Sequence, residues 1–134
     1  MKTRLFIVLI LVGVLITAAS LEQHFIQRSY ARLGKETNAL IETIKTQEET
    51  GISIDTQENI DKIEQIYKWW IKQERRLSML ARHFDLAQVS VQLVYAKNFI
   101  EFDNPEEALV GLRTAAYLIK THSFNVGTSI QNVI

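Results

Sequence analysis

The chain has no cysteine, a single proline and five glycines among 134 residues. Without cysteine, disulfide scaffolds, thiolate zinc sites, thiol catalysis and lipidation at a cysteine are all excluded. One proline and few glycines leave too little turn chemistry for a loop-rich all-β protein. Net charge is missing too, since 15 basic side chains balance 15 acidic ones. A nucleic-acid binder would need an excess of cations to offset phosphate repulsion, so no nucleic-acid partner is expected. An intrinsically disordered chain needs few apolar residues and a high net charge, whereas 47% of this one is hydrophobic.

The apolar residues are concentrated at the start. Met1-Lys2-Thr3-Arg4 is cationic, and Leu5 to Ile16 then holds eleven aliphatic or aromatic residues broken only by Gly13. The small residues Thr17-Ala18-Ala19-Ser20 follow. As a signal peptide this segment has a charged start, an apolar centre, and Thr17 and Ala19 spaced as a cleavage site. As a retained anchor, the uncharged stretch Leu5–Leu21 would be roughly 26 Å long as a helix, at the short limit for a bilayer. We favour retention, because an amphipathic pattern begins at once with Leu21 and Phe25 and leaves no processing spacer. The expected division is therefore residues 1–21 as a transmembrane anchor and 22–134 as a folded domain. Basic residues flank the span almost equally, with Lys2 and Arg4 before it and Arg28, Arg32 and Lys35 after it. A short basic start on a signal-like segment normally stays cytoplasmic, which would put the domain outside the cell membrane. Setting aside Lys2 and Arg4, that domain holds thirteen basic and fifteen acidic side chains, as suits a soluble ectodomain.

Helical periodicity runs through the rest. Leu21, Phe25, Tyr30, Leu33, Leu40, Ile41 and Ile44 form a stripe ending near Gly51, and no turn signal separates it from the anchor. Ser53-Ile54-Asp55 opens a second helix, with Asp55 and Glu58 at capping-box spacing. Its stripe is Ile60, Ile63, Ile66, Tyr67, Trp70, Leu77, Leu80, Ala81 and Phe84. A third helix should start near Asp85, capped by Asp85 and Gln88, and bury Leu86, Val89, Leu93, Ala96 and Ile100. Asp103-Asn104-Pro105-Glu106-Glu107 is the sharpest boundary: Asn104 can cap, Pro105 suits the first helical position, and two carboxylates meet the positive end of the dipole. The fourth helix buries Ala108, Leu109, Leu112, Ala115, Ala116 and Ile119 and should stop before Gly127, leaving a polar tail. No window alternates long enough for a sheet. The fold class is all-α: an N-terminal transmembrane helix, then an extracytoplasmic bundle of three to four helices.

Ala96, Phe99, Ala108, Leu112 and Ala115 match the small and large positions of a tetratricopeptide-like antiparallel hairpin, whose repeat is about 34 residues. Shifted back by one repeat, the positions become Lys62, Gln65, Glu74, Ser78 and Ala81, and only Ala81 fits. One hairpin is not an array.

Candidate chemistry is sparse. His24, His83 and His122 are scattered, and none has a ligand partner three or four residues away, so no metal or other cofactor is expected. No phosphate-cradling glycine loop or nucleophile elbow is present. The paired acids Glu48-Glu49 and Glu106-Glu107 sit at helix ends. We expect no enzymatic activity. The segment with most content is Tyr67-Lys68-Trp69-Trp70-Ile71-Lys72-Gln73-Glu74-Arg75-Arg76. Adjacent tryptophans point about 100° apart on a helix, so one leaves the core face. Trp70 aligns with Ile63 and Leu77 and should be buried; Trp69 aligns with Gln73 and Arg76 at the rim. Lys68, Trp69, Lys72, Arg75, Arg76 and Arg82 form a candidate interaction face, fit for anionic lipid, a wall polymer or an acidic patch on a membrane-protein partner. The plainer alternative lays Trp69 over the third or fourth helix, with solvated cations and the pairs Glu58–Lys62 and Glu64–Lys68.

A cationic start, one hydrophobic segment, Lys68-Trp69-Trp70, and a hairpin opened by Phe102-Asp103-Asn104-Pro105-Glu106-Glu107-Ala108-Leu109 together resemble the domain-of-unknown-function family DUF4363. The resemblance implies a small, membrane-anchored helical protein of spore-forming bacteria, with one span and an extracytoplasmic helical domain. It implies no activity and no catalytic residues. Members often carry a histidine and acids after the tryptophan; Gln73-Glu74 stands there in this chain. The expected function is a non-enzymatic interaction module or accessory subunit of a membrane complex. The alternative is a secreted protein, cleaved after Ala19, that binds a soluble ligand or cell-wall component.

Overall fold

The computed structural model describes residues 1–77 and 83–131, with side chains over residues 1–77 and 86–123. Four helices follow in order: α1 (Lys2–Thr50), α2 (Gln57–Leu77), α3 (His83–Glu101) and α4 (Pro105–Gln131). No strand occurs among the described residues.

Helix α1 is a single rod of 49 residues, about 74 Å long at 1.5 Å per residue. It has two environments. Every residue from Met1 to Glu22 is exposed, including Leu5 to Val12 without a break. From Ile26 onward one face is buried: Ile26, Ser29, Tyr30, Leu33, Thr37, Leu40, Ile41 and Ile44. Leu21 belongs to the exposed part, and Phe25 is only half-buried. The expected stripe therefore starts one turn late and gains Ile26 and Thr37. The rod stops where glycine permits it: Gly51 turns left-handed at φ 68°, and the amides of Gly51 and Ile52 close on the carbonyls of Glu48 and Gln47.

Each helix packs on its sequence neighbours, and α4 also packs on α1. The result is a closed four-helix ring in which α1 and α3, like α2 and α4, stand diagonally. Ile63, Ile66, Trp70 and Leu77 of α2 meet Leu86, Val89, Leu93, Ala96 and Ile100 of α3 and Ala108, Leu112, Ala115 and Ile119 of α4 in one core with α1. The α3–α4 approach is tight at Gly111, where an added Cβ would lie 2.8 Å from Tyr95 Cδ1 and 3.0 Å from the Ala96 amide nitrogen.

The loops depart from expectation in their chemistry. Helix α2 is capped by Thr56, whose Oγ1 accepts from the Asn59 amide at 3.2 Å, and not by Asp55. The Asn59 side chain donates to Gln47 Oε1 (2.7 Å) and the Ile54 carbonyl (2.9 Å), tying the first loop to both of its helices. Asn104 caps α4 through the Glu107 amide at 3.2 Å, with Pro105 first in the helix, as the motif requires. Its neighbour Asp103 has φ 52°, a left-handed conformation that Asp tolerates better than most residues. Asp103 Oδ1 accepts the Ile54 amide at 2.8 Å, locking the α3–α4 turn to the α1–α2 loop. That backbone hydrogen bond, with help from Ser53, holds the Asp103 carboxyl below its ordinary pKa.

Two boundaries are corrected. Helix α3 starts at His83, ahead of the expected Asp85. Helix α4 does not stop before Gly127 but continues to Gln131. A lone glycine costs a helix interior about 1 kcal/mol and does not end it unless the chain turns left-handed there, as it does at Gly51. Leu80 and Ala81, expected in the core, and Arg82, expected on the interaction face, lie outside the described residues, as does the Phe84 side chain.

Candidate interaction face

Trp70 organises the end of the bundle nearest the exposed half of α1. It is fully buried, its ring 5.9 Å from that of Tyr30, and Nε1 donates to Ser90 Oγ at 3.0 Å. Ser90 in turn donates to Glu74 Oε2 at 2.5 Å. A buried indole N–H needs a partner, and this relay supplies one while engaging the Glu74 carboxylate.

Trp69 is half-buried. The Arg32 guanidinium lies over its ring, 4.6 Å from the centroid, while Arg32 Nε donates to Glu36 Oε1 at 3.0 Å. Trp69 thus meets α1, and a cation from that helix covers one of its faces. Such a contact is worth roughly 0.5–1 kcal/mol at an exposed site.

The cations of α2 divide into two groups. Lys68 approaches Glu64 at 3.6 Å, and Glu64 also pairs with Lys97 of α3 at 2.8 Å. Lys97 reaches Glu101 at 3.8 Å, so the four groups form a chain across the α2–α3 seam. The Lys97 hydrogen bond and charge, aided by Lys68, hold the Glu64 carboxyl below its ordinary pKa. The same pair raises the Lys97 ammonium above its own. Glu58–Lys62 has the spacing of a pair, but no contact between them is seen. Lys72, Arg75 and Arg76 are exposed on the last two turns of α2, and Lys72 and Arg76 form no ion pair among the described residues.

Their height matters more than their number. Tyr30 and Trp70 lie level, and α2 runs toward the exposed half of α1 from there. Arg76 is six residues further on, about 9 Å, while Leu21, where the uncharged stretch ends, is about 13.5 Å below Tyr30. Measured along the axis, Arg76 therefore sits about 4.5 Å, Arg75 about 6 Å and Lys72 about 10.5 Å from that stretch's end.

The outer side of the α3–α4 pair carries apolar residues that the core stripe does not use: Val91 on α3, Phe102 in the turn after it and Val110 on α4 are 62%, 76% and 52% exposed. Residues standing off the stripe at these positions were the available sequence signal. On α3 the Tyr95 and Phe99 rings meet at a tilt of 51° with centroids 4.7 Å apart, and the Tyr95 hydroxyl donates to Glu107. No cluster of three or more histidine, aspartate or glutamate side chains suited to a metal occurs among the described residues.

These features define a class: a four-helix bundle one of whose staves extends into a helix long and apolar enough to cross a membrane. The chain belongs to the family described as Domain of unknown function (DUF4363), which matches it over residues 26–133. The match begins at Ile26, the first buried side chain of α1. No curated protein and no solved structure matches the chain.

Proposed function

We propose that this is a membrane-anchored, non-enzymatic interaction module, an accessory subunit of a bacterial membrane complex. Its N-terminus is cytoplasmic and its bundle extracytoplasmic. The observation that carries the reading is α1, whose exposed apolar half passes without a break into a buried stave of the bundle. A bundle held this way stands at fixed height and angle above the bilayer, as docking beside a membrane protein requires. Arg75 and Arg76 then lie at headgroup depth, where each favours anionic lipid by about 1 kcal/mol. Trp69 and the apolar side of α3–α4 are the surfaces offered to a protein partner.

The alternative, secretion after cleavage behind Ala19, has one observation in its favour. Burial starts beyond that point, at Gln23 and Phe25 in part and Ile26 in full, so cleavage would leave the core whole. Purification of the tagged protein in mild detergent, with mass spectrometry of the intact chain and its companions, separates the two. A full-length mass with a stoichiometric membrane protein, lost in a Trp69→Ala/Val110→Glu variant, supports the accessory subunit. A mass beginning at Ser20 without a companion would replace it with the secreted reading.

A further inference from the structure

A groove of about 550 Å³ runs between α1 and α4, lined by Tyr30, Ala31, Gly34, Lys35, Asn38, Ala116, Tyr117, Ile119, Lys120 and Ser123. Its volume is that of a small-molecule site. The sequence makes it in two ways. Ala31, Gly34 and Ala116 give a floor with almost no side chain, and a Cβ on Gly34 would meet only Ile119 Cγ2, at 3.7 Å. Gly34 thus lies beside Ile119, and the next residue of each helix, Lys35 on α1 and Lys120 on α4, lines the groove. Around them stand the hydrogen-bonding groups of Asn38, Ser123 and Tyr117, the last 69% exposed.

No carboxylate lines the groove. Elsewhere the bridged cations have an acid four residues away on their own helix: Arg32 with Glu36, Lys68 with Glu64, Lys97 with Glu101. Lys35 has Ala31, Arg32, Asn38 and Ala39 at those spacings, and Lys120 has Ala116, Tyr117, Ser123 and Phe124. Neither lysine forms an ion pair among the described residues. Two lysines without an ion pair, one from each helix, therefore line an open slot whose other polar side chains are neutral.

We propose that this groove binds a phosphodiester flanked by hydroxyl-bearing carbons, the repeating chemistry of a polyol-phosphate polymer. Two non-bridging oxygens suit two lysines acting as point charges from opposite sides. The flanking hydroxyls meet Asn38, Ser123 and the Tyr117 phenol. The same diester occurs in lipid headgroups, but Lys35 is fourteen residues beyond Leu21, about 21 Å along α1. The headgroup layer is only about 5–8 Å deep on each side of a bilayer, so the protein's own membrane does not reach the groove. The inference stands apart from the α2 face.

The test uses the full chain, labelled with nitrogen-15, in nanodiscs of phosphatidylcholine. Soluble glycerophosphoglycerol is titrated against the amides of Ala31, Gly34 and Ala116, with glycerol as the uncharged control and an oligomer of glycerol phosphate as the polymer probe. We expect both phosphate probes, and not glycerol, to shift these amides in a salt-sensitive manner. Lys35→Gln and Lys120→Gln should each weaken binding on the order of tenfold. Both lysines are exposed, so unchanged thermal melts will show an intact fold. Lys72→Gln/Arg76→Gln should leave the titration unaltered. Absence of shifts, an equal effect of the α2 variant, or indifference to either groove lysine would overturn the proposal. Shifts produced by adding phosphatidylglycerol to the nanodisc would overturn its assignment to a polymer.

Discussion

The two halves of α1 are built from the same aliphatic residues in different order. From Leu5 to Ile16 they are consecutive, so they cover the whole circumference and all remain exposed. From Ile26 to Ile44 they stand apart on a stripe completed by Ser29, Tyr30 and Thr37, its positions mostly three or four residues apart, so they gather on one side and vanish into the core. A helix apolar all round needs an apolar medium, whereas one apolar on a stripe needs only neighbours. Pattern, not composition, decides which half asks for a membrane.

The comparison can be broken from either side. The largest effect is expected in the bundle half: Trp70→Ala removes the fully buried indole against Tyr30 and should cost about 3–5 kcal/mol in urea unfolding while membrane retention is unchanged. Next comes the reverse experiment. Leu11→Lys puts a charge at mid-span, disfavouring insertion by about 2.5–3.5 kcal/mol. It should shift the protein out of carbonate-washed membranes without altering the bundle's melting transition. Gly111→Ala drives a methyl against Tyr95 and the Ala96 backbone, and should destabilise by about 1–3 kcal/mol. Thr37→Val should move the other way. Thr37 Oγ1 is buried without a hydrogen-bond partner, and replacing the hydroxyl by a methyl should add about 1 kcal/mol.

The smallest effect concerns pH. Glu64 and Asp103 have lowered folded-state pKa values, so their contributions are complete above the ordinary carboxylate range and fade as pH falls through the folded values. Lys97, raised, contributes below the ordinary lysine range and loses that contribution only as pH rises through its folded value. Melting temperature should therefore decline on acidification, and Glu64→Gln should flatten part of the decline. An unchanged acid limb in Glu64→Gln would remove the α2–α3 ion chain from the account.

Much of this was legible along the chain because it rests on local rules. Gly51 and Asn104-Pro105 mark helix ends by backbone conformation alone, and Trp70 was separable from Trp69 by angle alone. What was hidden depends on partners far away in sequence. Nothing near Asp103 shows that it accepts the Ile54 amide, and nothing near Trp69 names Arg32. Thr37 entered the core because its position on the stripe outweighed its hydroxyl. Gly111 reads as a weak spot in a helix until Ala96 is placed against it. The groove was illegible for the same reason: Ala31 and Ala116 become a floor only when α1 and α4 are set side by side.

The absence of cysteine offers the most direct test of α1 as both anchor and stave. Single replacements Thr3→Cys, Leu11→Cys and Glu49→Cys would be treated in intact cells with a membrane-impermeant maleimide. The account predicts that Glu49→Cys labels from outside, that Thr3→Cys labels only after lysis, and that Leu11→Cys resists both. Equal labelling of Leu11→Cys and Glu49→Cys, or loss of the Thr3→Cys site from the mature chain, would contradict it.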